Sequence, residues 1–260
     1  MTQFKAVVFD WAGTMIDFGS FAPMAAFVQA FAEFDIVAEV ADARAPMGMA
    51  KRDHIRAMLE REGISRQWCE RHGALPSEAD VDALYGTFVP LNESVVANHA
   101  DLVPGALDML ADLRARGMKI GSTTGYTRSI MERVLPIAAA QGYVPDCLVC
   151  SDDLPETRPG PFGMMRCFED LGVEAPSSVI KVDDTEPGIA EGVAAGCVTV
   201  GVVLSGNFVG KTAEELSAMS ATAIASLRDH AAAKLRAAGA DHVIDTVAGL
   251  PALIDRISVP

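Results

Sequence analysis

The sequence predicts an α/β protein: a parallel β-sheet with helices on both faces, interrupted early by an all-helical insertion. Three observations carry this reading. Short β-rich runs alternate with helical stretches over most of the chain, as in a sheet whose crossovers are helices. The β-rich runs are apolar almost throughout, which fits strands buried on both faces. One long stretch after the first run has no strong strand at all and only helical periodicity.

In chain order, residues 4–9 read as the first strand and end at Asp10. From 21 to 99 the pattern is helical: Phe21, Met24, Val28, Phe31 and Phe34 form a stripe, with Ser20 and Pro23 as its expected start. Helical patterns at 47–61, 65–72 and 77–98 follow. An insertion of roughly 80 residues is large enough to be a small domain, so the expected division is a core of 1–20 and 100–260 and a cap of 21–99. Strands are expected at 118–122, 146–150, 179–182 and 199–204, with helices at 106–116, 128–140, 163–171 and 189–195 between and beside them. An alanine-rich helix over 212–238 stops at Gly239, and 241–245 reads as a final edge strand. The core is thus Rossmann-like, and ligands of such sheets bind beyond the carboxyl ends of the strands.

A chain of 260 residues can bury a proper core, and at 50% hydrophobic residues and a mean hydropathy of +0.24 it reads as globular. Its net charge of −14 and pI of about 4.7 argue against nucleic acid or an anionic membrane surface as a partner. No apolar run approaches the ~18 residues of a membrane span. The stretch 1–9 lacks the basic start and cleavage site of a signal peptide. Five scattered cysteines suit a reducing compartment, so a cytoplasmic location is expected. Cys147 and Cys150 have C-x-x-C spacing without a second pair, and no zinc or redox role is expected of them.

The polar residues gather just after the predicted strands. Asp10 heads Asp10-Trp11-Ala12-Gly13-Thr14; Ser122, Thr123 and Thr124 close the second strand; Arg158 precedes a Pro-Gly-Pro turn; Asp183-Asp184 closes the fourth. An aspartate presented by a buried strand can act as nucleophile or metal ligand. These four loops, in this order, resemble the motifs of the haloacid dehalogenase superfamily, and the helical insertion resembles the cap of one large branch. In most phosphatases of that superfamily a second acid stands two residues after the nucleophile; here it is Ala12. An acid is needed to protonate a leaving oxygen, not to release carbon. With Met47-Gly48-Met49-Ala50-Lys51-Arg52-Asp53-His54 and Ser122 to Tyr126, the chain is most similar to the phosphonatase branch.

That resemblance implies hydrolysis of the P–C bond of phosphonoacetaldehyde to acetaldehyde and phosphate, within 2-aminoethylphosphonate degradation. It implies Lys51 as a Schiff-base lysine, Asp10 as the nucleophile that becomes phosphorylated, and His54, one helical turn from Lys51, as a proton shuttle. It assigns Mg2+ to Asp10, the backbone carbonyl of Ala12 and Asp184, with Asp183 and Thr14 behind them. Substrate contacts fall to Met47, Gly48, Thr124, Gly125, Tyr126 and Arg158, the last holding phosphoryl oxygens bidentately. Many members carry a further acid four residues after Asp184; Gly188 stands there, and Asp183 is expected to compensate. Ser20 is assigned no role. The resemblance also implies a homodimer through the caps, with the Phe21–Phe34 stripe as its candidate surface. The competing readings are a phosphate-ester phosphatase of the same superfamily and a catalytically silent binding module.

Overall fold

The computed structural model describes residues 4–258. The outermost residues of the expected core, 1–3 and 259–260, lie outside it, as does the beginning of the stretch read as no signal peptide.

In chain order the elements are β1 (Ala6–Phe9), α1 (Ala22–Ala32), α2 (Val40–Arg44), α3 (Lys51–Leu59), α4 (Glu62–His72), α5 (Glu78–Val96), α6 (Ala106–Ala115) and β2 (Lys119–Thr123). There follow α7 (Arg128–Ala140), β3 (Cys147–Val149), α8 (Phe162–Leu171), β4 (Val179–Asp183), α9 (Glu186–Ala194), β5 (Val198–Val202), α10 (Ala213–Ser217), α11 (Ala221–Ala237), β6 (His242–Ile244) and α12 (Leu250–Ile257). The strands pair in parallel in the order β3-β2-β1-β4-β5-β6. The chain leaves β1 and returns on both sides of it, so the order reverses between β1 and β4, where open α/β sheets bind their ligands. Register brings Phe9 opposite Ser122 on one side and Val182 on the other, so Asp10, Thr123 and Asp183 end at nearly the same level.

Two main cores hold the molecule. One lies under the sheet and gathers Phe9, Trp11, Ile120, Ile130, Ile180 and Val200. A separate one fills the insertion, where Phe27, Phe31, Ile55, Met58, Trp68, Leu84 and Phe88 from α1 and α3–α5 pack together. Met24, Phe27 and Phe31 are at most 4% exposed. Of the expected stripe, Met24 and Phe31 turn into this core, while Phe21, Val28 and Phe34 are half-buried, so the stripe is shared between the core of the insertion and its surface.

Several boundaries differ from the sequence pattern. The helix expected from residue 47 begins at Lys51, because Pro46 and Gly48, the latter at φ +92°, keep 46–50 in a turn. Val40–Arg44 adds a short helix with a capping box that the apolar pattern does not reveal. Ser20 does not start α1: it sits at φ +54°, and Asp17 Oδ2 instead accepts from Ala22 N at 2.8 Å. The helix expected from 189 begins at Glu186, with Thr185 as N-cap and Pro187 in its first turn. The stretch 212–238 is two helices, split at Ser220, whose hydroxyl caps α11. The strand 146–150 shrinks to three residues at a sheet edge, with Cys147 and Cys150 buried. Among the described residues no helix is long and apolar enough to cross a membrane.

Candidate active site

The site forms where the loops after β1, β2, β3 and β4 meet the loop that leads into α3. Asp10 follows β1 and is 6% exposed. Its Oδ1 lies 2.8 Å from Arg158 Nη2. Carboxylate oxygens of Asp10, Asp183 and Asp184 lie within 4.8 Å of one another. Burial and the Asp183 charge lift Asp10 to about 6, against the pull of Arg158 and Lys181. Asp184 is pushed well above the usual carboxylate range by burial and by Asp10 and Asp183. It is nevertheless held in place, Oδ1 by the Thr14 hydroxyl at 2.9 Å and Oδ2 by Asn207 N–H at 2.8 Å. Burial would raise Asp183 too, but Arg158, Lys181 and the Thr185 hydrogen bonds keep it below its ordinary value. Buried oxygen ligands that repel each other fit a hard divalent cation with carboxylate and carbonyl partners. Asp10 and Asp184 are the less neutralised pair. Ala12 lines the same cavity and brings no acid to it.

The insertion supplies the other half. Lys51 is the first residue of α3, 3% exposed, with Nζ 5.0 Å from the Tyr126 ring centroid and 5.8 Å from that of Phe27. Burial lowers its pKa to about 8, although Asp10 pulls upward. The positive end of the helix acts in the same direction as burial. At neutral pH about a tenth of Lys51 is then neutral amine, against a negligible share for an ordinary lysine.

The two halves touch closely. A Cβ on Gly48 would lie 2.2 Å from Thr185 Oγ1, and one on Gly125 would lie 2.7 Å from the Met49 carbonyl oxygen. Only glycine lets the loop before α3 rest on the loops after β2 and β4 at this distance. Arg44 of α2 fastens the contact, its Nη1 donating to the carbonyls of Gly19 and Asn207 and to Asn207 Oδ1 at 3.0–3.1 Å. The cavity between them measures about 20 Å³, room for about one water.

Of the residues singled out in the sequence, the cavity brings together Asp10, Ala12, Met47, Gly48, Lys51, Thr124, Gly125, Tyr126 and Arg158. Asp184, Asp183 and Thr14 stand directly behind Asp10. His54 does not line the cavity. It is fully buried, stacked on Phe27 at 3.9 Å, with Nε2 2.8 Å from the Ala43 carbonyl oxygen. A carbonyl only accepts, so Nε2 carries the hydrogen, and Nδ1 is left with a lone pair and no hydrogen-bond partner. Burial, then the Lys51 charge, hold the ring well below the usual histidine pKa. Arg158 is more occupied than a free phosphoryl clamp would be. Nε is taken by Glu191 and Nη2 by Thr123, Asp10 and Asp183, so Nη1 remains, 3.5 Å from the Gly48 carbonyl.

The three hydroxyls at the end of β2 divide the work. Ser122 donates to the Phe9 carbonyl, Thr123 joins the Arg158 network, and Thr124 faces the cavity. Residue-pattern reasoning missed Thr185, Lys181 and Glu191. Thr185 was signalled by its place before Glu186-Pro187 as a helix cap. Lys181 was signalled as a charge inside a strand buried on both faces, which must be paired.

The pattern of the haloacid dehalogenase-like hydrolases matches residues 4–196. The phosphonoacetaldehyde hydrolase of Paraburkholderia phytofirmans is 47% identical over 250 residues, 96% of this chain and 94% of that protein. The phosphonoacetaldehyde hydrolase of Salmonella paratyphi A is 45% identical over 260 residues, 99% and 97% of the two chains. Among solved structures, a phosphonoacetaldehyde hydrolase-like protein from Oleispira antarctica superimposes with a TM-score of 0.96 at 41% identity, covering 98% of this chain and 92% of that one.

Proposed function

The chain belongs to the haloacid dehalogenase-like hydrolases, in the branch of the phosphonoacetaldehyde hydrolases, and we propose from that premise how its residues act. It is a hydrolase of the C–P bond: phosphonoacetaldehyde and water give acetaldehyde and phosphate. The observation that carries the mechanism is the pairing of a buried lysine of lowered pKa with a buried aspartate across one small cavity.

A C–P bond does not release a bare carbanion. Neutral Lys51 Nζ adds to the aldehyde carbon and water leaves, giving an iminium. Asp10 attacks phosphorus, the C–P electron pair moves into the iminium, and an enamine and an aspartyl phosphate result. A proton at the enamine carbon restores an iminium; one water releases acetaldehyde and Lys51, and a second releases phosphate and Asp10. Arg158, through Nη1, meets the phosphoryl oxygens, and Thr124 and Gly125 line their pocket. Tyr126 and Met47 close the cavity around the two-carbon arm. His54 touches neither carbon nor phosphorus; the lone pair on Nδ1 lets it relay a proton to or from Lys51. Magnesium, held by Asp10, Asp184 and the Ala12 carbonyl, would supply positive charge against the phosphoryl group.

The cavity is too small for the substrate, so residues 21–99 act as a cap that opens to admit it and closes to exclude water. We assign the enzyme to the cytoplasm and to 2-aminoethylphosphonate breakdown. A dimer through the caps would use the half-buried stripe residues Phe21, Val28 and Phe34 together with outward residues such as Val37 and Val40.

The test is phosphate release with magnesium from phosphonoacetaldehyde and from a simple phosphate ester. Turnover of the phosphonate alone is expected. Preference for the ester would favour a phosphatase, against which Ala12 speaks, and turnover of neither would favour a silent module.

A further inference from the structure

Behind the cavity lies a buried cluster that the mechanism above does not use. Lys181 in the middle of β4 is fully buried, and Glu191 on α9 is 1% exposed. One oxygen, Glu191 Oε2, receives three donors: Arg158 Nε at 3.0 Å, Lys181 Nζ at 3.1 Å and Thr123 Oγ1 at 2.8 Å. The Thr123 hydroxyl in turn accepts from Lys181 Nζ at 2.6 Å and from Arg158 Nη2 at 2.9 Å. Both cations can only donate, so the Thr123 hydrogen must go to Glu191 and the ring closes in one sense only. Room for it is made by Gly163 of α8, where a Cβ would lie 2.5 Å from Glu191 Oε1.

A buried ion pair of this kind adds little to stability once the desolvation of both ions is counted. Its geometry does something more specific: it fixes the plane of the Arg158 guanidinium. With Nε held by Glu191 and Nη2 by Thr123, the side chain cannot turn about its long axis, and Nη1 is kept toward the Gly48 side of the cavity. We propose that Glu191, braced by Lys181 and Thr123, is the positioning residue for Arg158 and sets the angle at which the guanidinium meets the phosphoryl group. An arginine needs such a brace where a lysine would not, because its planar fork has a direction and an ammonium does not. The inference rests on the reading of Arg158 as the phosphoryl contact.

The experiment is a double-mutant cycle on kcat and KM for phosphonoacetaldehyde, using the wild-type enzyme, Glu191→Gln, Arg158→Lys and the double variant. Glu191→Gln keeps size and an accepting oxygen but gives up the charge. In the Arg158 background it should lower kcat/KM by about 10²-fold, chiefly through kcat, as a small misplacement of a catalytic contact does. In the Arg158→Lys background, which has no Nε to hold, it should change kcat/KM by less than about threefold. Equal losses in both backgrounds would show a general structural role and overturn the proposal. If Arg158→Lys has no measurable turnover, the same cycle is read from calorimetric binding of inorganic phosphate in magnesium buffer, with the same two outcomes. If Glu191→Gln does not fold, Glu191→Asp takes its place, keeping the charge but drawing the oxygen back; wild-type kcat/KM in that variant also overturns the proposal. A wild-type enzyme that fails to release phosphate from phosphonoacetaldehyde would instead refute the functional reading beneath it.

Discussion

Gly188 and Asp183 exclude each other's side chains: a Cβ on Gly188 would lie 1.9 Å from Asp183 Oδ2 and 2.0 Å from its Cγ. The carboxylate of Asp183 therefore fills the space into which an acid at 188 would project. This explains how the chain manages with a glycine four residues after Asp184.

The first prediction follows from that contact. Gly188→Ala must displace Asp183, and with it the hydrogen bonds to Thr185 and the ion pairs to Arg158 and Lys181. Phosphate release should fall by about 10²-fold, with a lowered melting temperature. Near wild-type kinetics in Gly188→Ala would show that Asp183 does not need its present position.

The acidic pair should separate by function. Among the described residues Asp184 is bonded by two neutral donors, Thr14 and Asn207, whereas Asp183 faces two cations. Asp184→Ala should abolish the response to added magnesium together with most activity. Asp183→Asn should lower activity but keep a magnesium titration curve. Identical, complete loss in both would mean that the ligand set is divided wrongly.

Activity should depend on pH through Lys51. Its folded pKa is lowered to about 8, so the neutral amine grows as pH rises and levels off above that value. The kcat/KM of the wild type should climb about tenfold per pH unit between about 6, above which Asp10 is ionised, and about 8, and flatten beyond it. A rise that continued to the pH range of an exposed lysine would contradict a buried, desolvated amine.

Arg44 should govern closure of the cap. Its guanidinium joins α2 to the loop at Asn207, whose N–H also holds Asp184. Hydrogen bonds of a charged group are worth about 1.5–3 kcal/mol. Arg44→Ala should therefore raise KM about tenfold or more and speed amide hydrogen exchange in residues 46–50. Unchanged exchange there would place the latch elsewhere.

Much of this was legible because strands end where chemistry begins. Asp10, Thr124, Arg158 and Asp184 all follow predicted strands, and the sheet order brings them to one place. The apolar stripe of α1 was also legible, but not how it divides; periodicity gives the stripe, while only packing with Phe88 and Ile55 shows that Met24 and Phe31 enter the core and Phe21, Val28 and Phe34 stay half-buried. Lys181 shows as a charge in a buried strand, but its partner Glu191 stayed hidden because a buried ion pair has no period, and its two halves are joined only when α9 packs on β4. His54 shares a helical face with Lys51, yet helical spacing could not reveal the Ala43 carbonyl and Phe27 ring that hold it away from the cavity.

The most direct test of the Lys51 imine is borohydride trapping during turnover, read by peptide mass spectrometry. The account predicts irreversible inactivation and an N-ethyl group on Lys51, with an N-(2-phosphonoethyl) group where reduction precedes C–P cleavage. Lys51→Arg should be as inactive as Lys51→Ala and take up no label, because a guanidinium of pKa above ~12 offers no neutral amine. Substantial activity in Lys51→Arg, or a label on Lys181 in place of Lys51, would contradict the mechanism.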